Sequence, residues 1–231
     1  FRALAAMVSR TPQVHLLIVG EPVPYYDAIA EAQRLGVADR VTFTGYVEDR
    51  DLDDYIACAD VCLCMRWPSS GETSASWLRC LAGGRATIVT DLHHTIDVPA
   101  LVTRGTWTPS PSVEVAPIKQ NASAPTGGPS GLPLCVSIDI MDEENSLQVA
   151  MERLARDRTL RRELGNRAKR FWAARHTLKH MQADYLRVIS LALDSPSGIT
   201  PPLPHLRPDG LETARDILKD MGMSVDILGR A

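Results

Sequence analysis

The sequence contains no apolar run of about 18 residues, the length that a helix needs to cross a membrane. It also lacks the basic segment followed by an apolar segment that opens a secretory precursor. Phe1 stands where a complete chain would carry Met, so we expect the natural start to lie upstream. These absences predict a cytoplasmic protein, and they leave contact with a membrane surface open.

The net charge and the cysteine pattern narrow the class of protein further. A formal net charge of −3 gives no reason to expect a nucleic-acid partner. The five cysteines form no paired C-x-x-C motif and have no obvious His partner, which argues against a zinc site. We expect them to be reduced, with Cys58, Cys62 and Cys64 packed in the core.

The first 90 residues alternate between helical and strand patterns. Hydrophobic residues make up 45% of the chain and charged residues 23%, as in soluble globular proteins. Apolar spacing predicts helices over 1–10, 25–35, 49–57 and 75–82, and strands over 14–19, 41–44, 60–65 and 85–90. This alternation predicts an α/β fold, a Rossmann-like parallel sheet with helices on both faces. Because the chain opens inside a helix, we expect a further strand before it.

The sequence of the remaining chain predicts an insertion, one more strand and a set of helices at the end. Residues 103–133 are rich in Pro, Ser, Thr and Gly, a composition that predicts a flexible insertion. A strand over 134–139 and helices over 143–157, 159–174 and 177–193 follow. We place the domain at 1–193, and a Pro-rich linker and tail at 194–231. The many arginines of 153–175 indicate either a solvated face or a surface for an anionic membrane.

The stretch from Met65 to Asp91 predicts the functional site. Gly71-Glu-Thr-Ser74 lies between a predicted strand and a predicted helix, at the edge where open α/β sheets bind anions. Thr73 and Ser74 offer hydroxyl donors and Glu72 offers a carboxylate acceptor, which suits a phosphate and a polyhydroxylated group. The alternative is that Thr73 or Ser74 only caps the helix, while Glu72 only complements its dipole.

Taken in order, these segments resemble the donor-binding domain of the retaining GT-B glycosyltransferases of family 4, the glycosyl transferases group 1. The resemblance covers about residues 1–189. The segments that carry it are Leu16-Leu-Ile-Val-Gly20, Val41-Thr-Phe-Thr-Gly45-Tyr-Val47, Ala59-Asp-Val61, Gly71-Glu-Thr-Ser74 with Leu81-Ala82 and Gly84, and Asp142-Glu-Glu-Asn-Ser-Leu147. The resemblance implies the C-terminal half of a GT-B fold with a C-terminal helical extension.

The resemblance also implies a hexosyltransferase-type activity with a nucleotide-diphosphate sugar as donor. The donor-binding residues it implies are Gly45, Tyr46 and Val47 around the base, and Gly71, Glu72, Thr73 and Ser74 around the diphosphate and sugar. The helix N-terminus and cationic side chains would stabilise the leaving diphosphate, so we expect a metal-independent reaction with no cofactor. The acceptor, a glycan or lipid-linked glycan, would bind mainly to an N-terminal domain absent from this chain.

Two positions depart from the family pattern. Arg79 stands where many members carry a second glutamate that holds the ribose, and arginine cannot accept a hydrogen bond. It therefore either contacts phosphate or lies on the helix surface. The family's phosphate-binding Arg and Lys would precede Phe1; Arg66 either replaces them in part or is a surface arginine. We take Glu72 and Arg66 as the catalytic candidates, and we do not expect this chain alone to be active.

Two other classes of protein fit parts of the pattern. A non-catalytic nucleotide- or phosphate-binding α/β module would explain the departures at Arg79 and before Phe1. A flavodoxin-like receiver domain is disfavoured, because Asp60 begins its predicted strand instead of ending it.

Overall fold

A computed structural model describes residues 1–95, 97–103, 132–195 and 211–228. The predicted flexible insertion falls mainly at 104–131, and most of the predicted Pro-rich linker falls at 196–210; both ranges lie outside the described residues. In the described part of the chain, no helix is long and apolar enough to span a membrane.

Helices and strands alternate along the first part of the chain as predicted. The helices are α1 (Arg2–Val8), α2 (Ala28–Arg34), α3 (Leu52–Cys58), α4 (Ala75–Ala82), α5 (Glu143–Arg156), α6 (Arg158–Arg175), α7 (Leu178–Asp194) and α8 (Glu212–Asp220). The strands are β1 (Leu16–Ile18), β2 (Val41–Phe43), β3 (Val61–Cys64), β4 (Ala86–Thr90), β5 (Ala100–Val102) and β6 (Cys135–Ile138).

The strands form two sheets, and every strand pairing is parallel. β1 pairs with β2, while the larger sheet has the order β3-β4-β6-β5. The α/β class, with parallel strands and helices on both faces, is thus confirmed. The expectation of one sheet is not met within the described residues, because the β1-β2 pair is not hydrogen-bonded to the larger sheet.

The core lies on both faces of the larger sheet. All residues of β4 and β6 are buried, as expected for central parallel strands. One face packs against α4 and α6 through Trp77, Leu81, Ala168 and Phe171, and the other packs against α5 and α6 through Ala150, Leu154 and Leu164. The residues that follow β3 and β4 therefore project from a layer that is packed on both sides.

The chain divides into two compact units, residues 1–181 and 182–231. The first unit contains both sheets and α1 to α6. The second, taken by itself, contains most of α7, then α8 and a 3₁₀ turn at Val225–Leu228. Gly222 ends α8 with a φ of +68°, and the Met223 amide donates to the Leu218 carbonyl at 2.8 Å. This is a Schellman-type helix end.

Three sequence-based details are corrected by the structure. Cys58 is exposed and Cys62 and Cys64 are only partly buried, although all five cysteines are free thiols. The helix predicted over 49–57 begins at Leu52, because the chain first makes a turn in which the Asp51 amide donates to the Glu48 carbonyl. β5 was not predicted, since a three-residue apolar segment has too little pattern to indicate a strand.

Candidate functional site

The loop between β3 and α4 follows the carboxyl end of its strand, as the sequence predicts. Gly71 has a φ of +87°, a conformation that side chains with a Cβ rarely adopt. A Cβ at this position would also lie 3.0 Å from His93 Nε2, so the His93 ring lies next to Gly71. His93 belongs to the segment after β4, and both segments therefore meet at Gly71.

Glu72 organises this loop through its carboxylate. It forms an ion pair with Arg66, and the two side chains are 44% and 42% exposed. Glu72 Oε2 also accepts hydrogen bonds from the Ser70 amide at 2.9 Å and from the Ser70 hydroxyl at 2.7 Å. The loop is thus folded around one carboxylate, with a guanidinium directly beside it.

These contacts lower the pKa of Glu72 from 4.5 to about 2. The Ser70 hydroxyl contributes most, followed by the backbone amides of Glu72 and Ser70 and by the positive charge of Arg66. Each of these groups favours the ionised carboxylate. At neutral pH Glu72 is therefore a hydrogen-bond acceptor and carries no proton to donate.

Arg66 links the loop to the neighbouring strand end and to a small depression. Its backbone amide donates to Thr90 Oγ1 at 3.3 Å, which joins the ends of β3 and β4. The depression is lined by Cys64, Arg66, Ser74, Trp77, Val89, Thr90, Leu92 and Thr95 and has a volume of about 10 Å³. This is room for roughly one water molecule, so a larger ligand would have to lie in front of it.

Ser74 and Thr73 have different environments. Ser74 is the N-cap of α4; it is buried, and its Oγ accepts from the Trp77 amide at 3.3 Å. Thr73 is exposed. The Ser74 hydroxyl thus caps the helix, as one of the two sequence readings proposes, and Thr73 is the hydroxyl of this pair that faces solvent.

The segment Gly45 to Val47 follows β2 and is tied to the loop that follows β1. The Gly20 amide donates to the Gly45 carbonyl at 3.2 Å. Tyr46 is 72% exposed, whereas Val47 is partly buried. The segment therefore presents an aromatic ring at a carboxyl strand end.

Arg79 is held by Asp49, a contact that neither sequence reading of Arg79 included. Arg79 Nη2 donates to Asp49 Oδ2 at 2.7 Å, and Nη1 donates to the Asp49 carbonyl at 3.3 Å. This hydrogen bond raises the pKa of Arg79. Because Asp49 comes soon after Gly45 to Val47, the contact connects that segment to α4.

Sequence reasoning missed four residues of this region. Asp49 accepts a hydrogen bond from Arg79, and the Ser70 hydroxyl donates to Glu72. Thr90 accepts from the Arg66 amide, and His93 lies beside Gly71. All four lie in or after the carboxyl end of a strand. That position was the available signal, because parallel α/β sheets place binding groups there.

His176 and His180 are four residues apart in the sequence, a spacing at which two histidines on one helix can bind zinc, but in the structure they make different contacts. His180 Nδ1 lies 2.7 Å from Thr177 Oγ1, and the His176 ring lies 5.2 Å from the Phe171 ring between centroids. Within the described ranges, no three His, Cys, Asp or Glu side chains are grouped so that they could hold a metal ion.

Comparison with solved structures identifies the fold class. The chain is similar to sucrose-phosphate synthase from Thermosynechococcus elongatus, at 21% identity and a TM-score of 0.55 over 83% of this chain and 42% of that one. It is also similar to WaaG, a glycosyltransferase involved in lipopolysaccharide biosynthesis, at 17% identity and a TM-score of 0.52 over 81% and 41%. The fold is that of the GT-B glycosyltransferases, and the chain spans about two fifths of each structure.

A family comparison matches the N-terminal part of the chain. Residues 1–114, just under half of the chain, match the model of the family described as glycosyl transferases group 1. This part of the chain contains β1 to β5 and the loop around Glu72. None of the curated proteins matches the chain.

Proposed function

We propose that this chain is the donor-binding domain of a retaining family 4 glycosyltransferase. The whole enzyme would transfer a sugar from a nucleotide-diphosphate sugar to an acceptor. The observation that carries the proposal is the Arg66–Glu72 pair directly before the N-terminus of α4. A cation, a carboxylate and helix amides together provide partners for a diphosphate and for sugar hydroxyls.

The proposal assigns one role to each group. Arg66 and the first-turn amides of α4 would bind the diphosphate, and the exposed Thr73 hydroxyl would add a further donor. The Glu72 carboxylate would exchange its contact with Arg66 for hydrogen bonds from the sugar hydroxyls. It can accept these hydrogen bonds because it stays ionised. Because the depression beside Arg66 holds only about one water, the sugar would lie in front of the loop.

The rest of the donor site would come from the segment after β2. We propose that Gly45, Tyr46 and Val47 line the base pocket, with the exposed Tyr46 ring available for stacking on a base. A base, a diphosphate and a sugar would then be held without a resident metal ion or other cofactor. We further propose a hexose as the transferred sugar.

The acceptor side of the reaction requires more protein than this chain contains. The chain spans only about two fifths of each solved structure that it resembles. We propose that an N-terminal domain precedes Phe1 in the whole protein, binds a glycan or lipid-linked glycan, and completes the active site. The whole enzyme, in this proposal, works in the cytoplasm.

Contact with a membrane surface is a further part of the proposal. Arg158, Arg162, Lys169 and Arg170 are all exposed on α6, and at 100° per residue they fall on one side of the helix. Such a basic stripe suits an anionic lipid surface. Flotation with vesicles of phosphatidylglycerol should retain the protein, whereas phosphatidylcholine vesicles or the Arg162→Glu/Arg170→Glu variant should not.

Calorimetry with UDP, GDP, ADP and their hexose conjugates tests the donor site. At least one nucleotide should bind. Glu72→Gln should lower the affinity for the matching nucleotide sugar by about tenfold to a hundredfold, the effect of losing a charged hydrogen-bond partner. Free nucleoside diphosphate should lose less affinity, since Glu72 is assigned to the sugar. Absence of binding by all of these compounds would refute the donor-site proposal.

Glu163→Gln is a matched control for this experiment. Glu163 is also a half-exposed carboxylate paired with an arginine, Arg167, but it lies on α6. It should leave nucleotide-sugar affinity unchanged. If the full-length protein binds nucleotide sugar yet never transfers or hydrolyses it, the non-catalytic binding module is the better description.

A further inference from the structure

Three cysteine side chains meet between β3 and α4. Cys62 and Cys64 are two residues apart on β3, so their side chains project from the same face of the strand. Cys80 lies on α4. The Cys64 and Cys80 Sγ atoms are 3.9 Å apart, and Cys62 also lies within reach of Cys80. The fold thus brings together thiols that belong to a strand and to the helix that follows it.

The contact between Cys64 and Cys80 is close enough for a covalent bond to form after a small movement. The two sulfur atoms of a disulfide are about 2.05 Å apart, so this pair has to close by roughly 2 Å. Rotation of one cysteine side chain about its Cα–Cβ bond moves the sulfur by more than this distance. The strand and the helix can therefore keep their own backbone hydrogen bonds when the sulfurs join.

The two thiols differ in access and in acidity. Cys64 is partly buried and lines the small depression beside Arg66, whereas Cys80 is only 6% exposed. Hydrogen bonding with Cys62 lowers the pKa of Cys80, but the hydrogen bond with Cys64 and burial outweigh this effect and raise the pKa to about 12. Since the thiolate is the reactive form, Cys64 is the sulfur that a small oxidant from solvent meets first.

We propose that Cys64 and Cys80 are a redox modification site, at which a peroxide converts the two thiols into a reversible disulfide. The Cys64 sulfur attacks one oxygen of hydrogen peroxide and the O–O bond breaks. The products are a sulfenic acid on Cys64 and one water, which carries the thiol proton. The Cys80 sulfur then attacks the Cys64 sulfur, the S–O bond breaks, and a second water leaves with the Cys80 proton. The two thiols lose two electrons, and the peroxide gains them.

The disulfide would close a ring of chain around the candidate site. Cys64 and Cys80 are 16 positions apart, and residues 65–79 between them include Arg66 and Glu72. A cross-link of this span restricts the unfolded chain more than the folded one, so the oxidised protein should be more stable. This inference concerns a modification of the chain itself, and it holds whether or not the chain binds a nucleotide sugar.

Peptide mapping and melting curves on the full chain test the proposal. The protein is treated with hydrogen peroxide, its remaining thiols are alkylated, and trypsin cleaves it at arginines. Cleavage releases residues 51–66, which contain Cys58, Cys62 and Cys64, and residues 80–85, which contain Cys80. We expect mass spectrometry to find these two peptides joined, and dithiothreitol to separate them. Oxidation should raise the melting temperature by roughly 5–10 °C, and dithiothreitol should reverse the rise.

Single substitutions identify the partner of Cys80. Cys64→Ala and Cys80→Ala should each abolish both the joined peptide and the rise in melting temperature. Cys58→Ala and Cys62→Ala are the matched controls, because they remove the other two cysteines of the same tryptic peptide, and both should keep the two effects. The melting temperature of each variant under reducing conditions shows whether the substitution itself alters folding.

Two results would overturn the proposal. If the two peptides are still joined in Cys64→Ala, then Cys58 or Cys62 is the partner and the assigned pair is wrong. If peroxide leaves every thiol of wild type open to alkylation, or yields only sulfinic and sulfonic acids that dithiothreitol does not reduce, then the close pair is a packing contact without redox chemistry.

Discussion

Gly165 of α6 lies directly against the backbone of Gly84, which belongs to the turn between α4 and β4. A Cβ built on Gly165 would lie 2.0 Å from the Gly84 carbonyl oxygen and 2.9 Å from its carbonyl carbon. Gly84 itself has a φ of +67°. The two glycines thus let α6 approach the turn between α4 and β4, and this contact helps to fix the helix whose N-terminus forms the candidate site.

Gly165→Ala should destabilise the protein, because the new methyl group would overlap backbone atoms that have little freedom to move. Overpacking of this kind typically costs about 1–3 kcal/mol, more than the roughly 1 kcal/mol that alanine gains over glycine in a helix. Urea unfolding of Asn166→Ala, an exposed neighbour on α6, provides the comparison. A Gly165→Ala variant that is as stable as this control would contradict the close packing.

Thr87→Val should cost about 1–3 kcal/mol, since it leaves a buried donor without an acceptor. Trp77 Nε1 donates to Thr87 Oγ1 at 3.1 Å, and Thr87 is fully buried. Thr42→Val is the matched control, because Thr42 Oγ1 contacts His15 in an exposed position and should cost less than about 0.5 kcal/mol. If chemical denaturation shows the same loss in free energy of unfolding for both variants, the buried hydrogen bond does not stabilise the protein more than the exposed one.

Ser74→Ala and Thr73→Ala should separate helix capping from ligand binding. Ser74→Ala removes the N-cap of α4 and should lower the free energy of unfolding by about 0.5–2 kcal/mol. Thr73→Ala should leave stability nearly unchanged and weaken nucleotide-sugar binding. Melting curves and calorimetry on the same samples check both parts, and a Thr73→Ala variant with wild-type affinity would remove Thr73 from the proposed site.

The Glu72 carboxyl should titrate near pH 2, and Ser70→Ala should raise its pKa towards 4.5. The Ser70 hydroxyl is the largest cause of the lowered value, so its loss should have a clear effect. Since the folded pKa is the lower one, the stabilising contribution of Glu72 is complete above about pH 4.5 and declines as the pH falls towards 2. Carbon NMR of the Glu72 side-chain carboxyl measures both values; identical titrations would contradict the assigned cause.

Much of the fold was predictable because local patterns carry it. The apolar spacing of 75–82 predicted α4 with the bounds observed. The continuous apolar runs predicted β3, β4 and β6 to within one or two residues. β5 and the separation into two sheets depend on which strands meet, and no single segment of the sequence carries that information.

The candidate site was predictable only in part, for the same reason. Gly71 to Ser74 could be placed beside a helix N-terminus from four consecutive residues. The bond from Arg79 to Asp49 joins residues 30 positions apart, and His93 approaches Gly71 from the segment after another strand. Spacing along the chain does not indicate such contacts.

The amino-acid sequence by itself determined where helices and strands form, which faces are apolar and which loop carries a carboxylate before a helix, because each depends on neighbours along the chain. The tertiary structure decided that Glu72 is paired with Arg66, that the Ser74 hydroxyl is used as a cap, and that Arg79 is occupied by Asp49. Those outcomes depend on distances between side chains that only the packing of sheets and helices sets.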